Sequence, residues 1–115
     1  MENNIDIKII EILKELNIPV RKLDYEGCEK MYLVFFDYLR QDEEFSEDEA
    51  ETEGFYIQLD LYGINVDIRG KAEEIRKIMK KANCYKIDDK ELNENEKGIF
   101  RRGFRYYIPI LKKGE

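Results

Sequence analysis

Histidine and tryptophan are absent from this chain, which also holds a single serine (Ser46), a single threonine (Thr52), two cysteines and two prolines. A Ser-His or Cys-His pair needs an imidazole to take the nucleophile's proton, so those forms of covalent catalysis are excluded. Histidine-based zinc sites go with them, and two cysteines 56 positions apart, Cys28 and Cys84, cannot build a structural zinc site or a disulfide framework. Both thiols are expected to be small buried apolar residues. No apolar run approaches the roughly 18 residues of a membrane span. The opening MENNIDIKII carries acidic and amide residues where a secretory signal would be basic, so an intracellular protein is expected.

What is present is charge. Of the 115 residues 40% are charged and 43% hydrophobic, with a net charge of −6. That length makes a single domain, 1–115, able to withdraw roughly two thirds of its unfolded surface from water. Carboxylates are abundant enough for acid chemistry or Mg²⁺, but no pattern places two of them convergently, so no catalytic, metal or cofactor residues are assigned.

The spacing of Ile5, Ile9, Ile12, Leu13 and Leu16 predicts an amphipathic helix, with Asp6, Lys8 and Glu11 on its solvent side and a stop at Asn17 and Pro19. Residues 20–23 read as a short strand. The run MYLVFFDYL (31–39) reads as a strand buried on much of both faces, and 55–62 as its hairpin partner. In that partner Phe55, Ile57, Leu59 and Leu61 alternate with Tyr56, Gln58, Asp60 and Tyr62. Ile68, Ala72, Ile75, Met79 and Ala82 recur at helical spacing, with Asn65 or Asp67 as cap. A short strand follows at 84–87, then a polar connection at 88–98, then a strand over 99–110. Pro109 marks an edge or an end there, and Gly103 a bulge or a close backbone approach.

Eight of the twelve residues at 42–53 are acidic, among them Glu43, Glu44, Glu47, Asp48 and Glu49. Charge of that density is expected to be exposed, either as a solvated hairpin extension or as a docking arm. An EF-hand loop is ruled out by the missing glycine and Asp/Asn alternation. In the last strand Arg101, Arg102 and Arg105 interleave with Phe100, Phe104, Tyr106 and Tyr107, a pattern that can stack on nucleic-acid bases. The net negative charge argues against phosphate binding and for pairing with carboxylates, within the chain or on a neighbour. Residues 1–63 sum to −11 and residues 64–115 to +5, a division suited to head-to-tail contact or to neutralisation inside one monomer.

The sum is an α+β fold: two helices on a mainly antiparallel sheet of four or five strands, in the order α-β-β-β-α-β-β, with a long acidic hairpin loop. This layout, with GFYIQLDLYG, AEEIRKIMKKA and EKGIFRRGFRYYI in sequence, resembles the tail-completion or tail-terminator proteins of long-tailed bacteriophages. That family commonly ends its long hairpin in a YxIQVDxW-like strand and carries a YHKxxRF-like run in its last strand. Here Tyr62 stands where tryptophan is frequent, and Phe100 and Arg101 where tyrosine and histidine are frequent. The resemblance implies no enzyme, but a homo-oligomeric ring, commonly a hexamer, that caps the tail tube and meets the head connector or neck protein. It places the protein in the host cytoplasm during assembly and then in the virion tail. Glu43, Glu44, Glu47, Asp48, Glu49, Arg101, Arg102 and Arg105 are the expected assembly contacts, with no sequence-specific nucleic acid and no membrane as partner. The alternative is a small acidic inhibitor that imitates nucleic acid and occupies a basic host protein.

Overall fold

The computed structural model of the chain describes residues 4–42, 52–92 and 98–111. Helix α1 (Asn4–Leu13) tightens into one 3-10 turn (Lys14–Leu16) and stops at Asn17. Asn17 takes a φ of 60°, a left-handed conformation that asparagine tolerates better than most residues. There follow β1 (Val20–Lys22), β2 (Met31–Asp42), β3 (Thr52–Ile64), α2 (Arg69–Lys81), β4 (Tyr85–Leu92) and β5 (Ile99–Leu111). The five strands form one sheet in the order β1-β2-β3-β5-β4, with β1 parallel to β2 and every other neighbour antiparallel. The fold is therefore α+β in the order the sequence predicts.

Alternation in the central strands sets the layers. Phe55, Ile57, Leu59 and Leu61 of β3 are buried together with Leu33 and Phe35 of β2 and Phe104, Tyr106 and Ile108 of β5. Both helices close over this one face, α1 through Ile5, Ile9 and Leu13, and α2 through Ala72, Ile75 and Met79. Full burial of each large side chain contributes about 1.5–3 kcal/mol. Lys71 of α2 donates from Nζ to the carbonyl of Leu16 at 2.8 Å, tying the two helices together at one end. Among the described residues no helix packs on the other face of the sheet.

Several details differ from expectation. Asp6, assigned to the solvent side of α1, is 1% exposed and accepts from Lys22 Nζ at 2.7 Å, a partner sixteen residues away. Cys84 is buried, but Cys28 is exposed. Strand β4 runs on to Leu92, so Asp88 and Asp89 lie in the sheet and not in a connection. β2 and β3 stay paired to Asp42↔Glu53, forming the expected hairpin. The acidic residues between them, including Glu43, Glu44, Glu47, Asp48 and Glu49, lie outside the described residues. Gly103 is a site of close approach, not a bulge: a Cβ there would stand 2.9 Å from Leu92 Cδ1 and 3.4 Å from Asp60 Oδ1. Pro109 sits where β4 no longer flanks β5, since their pairing ends at Tyr85↔Tyr107.

Candidate interaction surface

On the helix-free face the strand registers generate four rows. The first crosses Tyr32, Tyr62, Arg101 and Leu92, and the second Arg21, Val34, Asp60, Gly103 and Lys90. The third crosses Phe36, Gln58, Arg105 and Asp88. The last sets Tyr56 and Tyr107 between Tyr38, at the β2 bulge, and Tyr85. Two tyrosine ladders thus lie about 20 Å apart along the strands, at about 3.3 Å per residue. In one, the rings of Tyr25, Tyr32 and Tyr62 stack at centroid separations of 4.5 and 5.0 Å, and the Arg101 guanidinium lies 5.3 Å from the Tyr62 ring. In the other, Tyr38, Tyr56, Tyr107 and Tyr85 follow one another at 6.0, 5.0 and 6.3 Å. Cross-strand aromatic pairs of this kind contribute about 0.5–1.5 kcal/mol each beyond their buried area.

A polar diagonal joins the ladders. Arg105 Nε donates to Gln58 Oε1 at 2.9 Å, Gln58 Nε2 donates to Asp60 Oδ1 at 2.9 Å, and Arg101 Nη2 donates to Asp60 Oδ2 at 3.1 Å. Asp60 is 5% exposed, so its charge is tolerable only because Arg101 and Gln58 satisfy both oxygens. The absent side chain at Gly103 leaves the room in which that carboxylate sits. Arg105 is solvent-exposed, lies 4.7 Å from the Tyr38 ring, and makes no ion pair among the described residues.

The three arginines do not converge. Arg102 has the parity of Phe104 and lies on the helix side, where its Nε donates to Asp89 Oδ1 at 2.7 Å. Asp89 also accepts from Arg76 Nε of α2 at 2.7 Å and from Lys86 Nζ at 3.2 Å. Burial pushes the Asp89 carboxyl upward, but the bonds from Arg76, Arg102 and Lys86 outweigh it and hold the group at about 2. The cluster clamps the edge strand β4 to both β5 and α2. Beside it, burial pushes the Tyr106 hydroxyl up to about 12, with the Asp89 charge adding to the effect, and raises the Cys84 thiol. At the start of α2 the side-chain bond from Arg69, backed by its backbone N–H at 2.9 Å, holds exposed Asp67 at about 2. Neither Asn65 nor Asp67 is the cap the sequence suggests: the N-cap is Ile68, which makes no side-chain cap bond, and Asp67 beside it satisfies one N–H of the first turn, that of Arg69.

Among the described residues no three His, Cys, Asp or Glu side chains group to hold a metal ion. A cleft of about 720 Å³ at the end of the sheet is lined by Asn65, Val66, Asp67, Arg69, Glu91 and Phe100, with Asp67 already engaged by Arg69. No helix among the described residues is long and apolar enough to cross a membrane. No family model matches this chain, and no curated protein matches it. The sheet face opposite the two helices carries tyrosines and arginines, residue types that are enriched where proteins bury contact area.

Of the predicted contacts, Arg101 and Arg105 lie on this face, Arg102 lies behind it, and the five carboxylates of 43–49 are outside the described residues. Of the aromatics the sequence groups with the arginines, Tyr107 lies on this face, while Tyr32, Tyr38, Tyr56, Tyr62 and Tyr85 are not among the predicted site residues. Their signal was available in β3 and β5, where tyrosines occupy the parity opposite the apolar core.

Proposed function

We propose that this chain is a structural assembly protein without catalytic activity, a tail terminator or completion subunit at the head–tail junction of a long-tailed bacteriophage. In this reading copies close into a ring, of six subunits on the family resemblance, that caps the tail tube and meets the head connector or neck protein. It is made in the host cytoplasm and ends in the virion tail. No bond is formed or broken; complementary surfaces stop tube growth.

The observation that carries the reading is the sheet face opposite the two helices, where tyrosines and arginines are laid out in rows and no helix among the described residues packs over them. A surface of this composition has much to gain from burial against protein, and Arg105 is held ready by Gln58 and Tyr38. The element order and the long hairpin are those of the resembling family. Electron microscopy of particles made without this coding sequence tests the proposal. Overlong or untailed particles support it, normal-length tails lying free of filled heads move it to neck completion, and intact infectious particles refute it.

A further inference from the structure

Where the end of α2 meets the start of β4 lies a cleft of about 340 Å³, lined among the described residues by Arg76, Lys80, Cys84, Tyr85, Lys86 and Tyr106. Three of these six side chains are cationic and none is a carboxylate, in a chain whose net charge is −6. We infer that this cleft binds a phosphate group, as the free ion or at the end of a small phosphomonoester, with the Tyr106 hydroxyl and the Lys80 ammonium as its donors. The inference does not depend on the assembly reading.

Tyr106 carries the argument. It is 2% exposed and lines the cleft, yet its hydroxyl makes no hydrogen bond among the described residues. A buried hydroxyl is costly without a partner, and the large majority in folded proteins have one. Phenylalanine would fill the position without that cost, so the hydroxyl is the part of this side chain that packing leaves unexplained. Burial pushes it up to about 12, so near neutral pH it keeps its proton and can donate to an anion. Lys86 pairs with Tyr106 across β4 and β5, which puts both side chains on one side of the sheet. Arg76 and Lys80, one turn apart, share a face of α2.

The charge around the cleft is largely allotted, which isolates the donor that is not. Asp89 takes Arg76 Nε at 2.7 Å and Lys86 Nζ at 3.2 Å, and Arg76 Nη1 goes to Glu73. These bonds fix Arg76 in place and use one of the three donors of Lys86. Lys80 makes no ion pair or side-chain hydrogen bond among the described residues. A helix C-terminus repels anions through its free carbonyls. Here the carbonyls of Ile78, Met79 and Lys80 accept from the N–H groups of Ala82, Cys84 and Asn83, each at 3.0 Å. Burial raises the Cys84 thiol, so it adds no negative charge. Donors arriving from α2, β4 and β5 suit a tetrahedral group with three acceptor oxygens better than a planar carboxylate. The volume is at the small end of ligand clefts, roughly 300–1,000 Å³, so whatever carries the phosphate is small.

The test titrates the full chain with inorganic phosphate and with phenyl phosphate to about 10 mM at constant ionic strength, following the backbone amide NMR signals of Cys84, Tyr85, Lys86 and Tyr106. Saturable shifts at these residues are expected. Tyr106→Phe removes only the hydroxyl; it is expected to melt no lower than the wild type and to bind about tenfold more weakly. Lys80→Gln, at an exposed position, is expected to bind roughly threefold more weakly, and Lys14→Gln, outside the cleft, to bind as the wild type does. Tighter binding of phenyl phosphate assigns the ester, and equal binding assigns the free ion. No saturation with either probe, Tyr106→Phe binding as the wild type does, a loss in Lys14→Gln equal to that in Lys80→Gln, or acetate bound as tightly as phosphate would overturn the inference.

Discussion

Replacing Asp89 by Asn should remove the clamp that keeps β4 in the sheet. Its carboxylate side chain is 8% exposed and takes charge-assisted bonds from Arg76 and Arg102 at 2.7 Å and Lys86 at 3.2 Å. Breaking a fully buried pair costs about 3–5 kcal/mol, but Arg76 and Arg102 are a little under a third exposed and would recover water, so the lower end applies. Linkage gives a similar figure. A carboxyl lowered from 3.8 to about 2, at about 1.4 kcal/mol for each tenfold change in proton affinity, contributes about 2 kcal/mol. Since the folded-state value is depressed, that stability is fully present above about pH 4 and is lost as pH falls through about 2. Urea denaturation followed by circular dichroism should therefore show Asp89→Asn less stable by about 2 kcal/mol at pH 7, or about 8 °C in melting temperature. The gap should close as pH falls from about 4 toward 2. A variant within 0.5 kcal/mol of wild type at pH 7, or a gap unchanged at low pH, would refute the account.

The two arginines of the open face should separate cleanly. Arg101→Ala leaves Asp60 buried with Gln58 alone and should cost about 2–3 kcal/mol in a denaturant titration, whereas Arg105→Ala, at an exposed guanidinium, should cost under about 0.5 kcal/mol. Gly103→Val pushes against Leu92 and crowds Asp60, so a loss of about 1–3 kcal/mol is expected, checked by thermal melting against Gly70→Ala, where a Cβ meets nothing within 4 Å. Thiol titration of the native protein should label exposed Cys28 quickly, while Cys84, buried with a raised thiol pKa, should react only on unfolding; two equally fast thiols would contradict its burial.

The parts of the fold that were legible are those whose local pattern agrees with their tertiary role. β3 alternates at period two because one face meets both helices, and Ile68, Ala72, Ile75 and Met79 recur at helical period because one stripe of α2 meets the sheet. Residues 88–92 gave no such signal. Asp88, Asp89, Lys90 and Glu91 are poor strand formers, and they are held in β4 by the β5 ladder and by arginines 13 residues away in each direction, at Arg76 and Arg102. Asp6 was misread for the same reason, since its partner Lys22 lies on another element. The split among the three arginines was readable: in a strand, residues 101 and 105 share a face and 102 takes the other. Grouping them by proximity in sequence obscured that alternation. Which side of the sheet the helices leave open follows from packing, and no local pattern in the arginine run reports it.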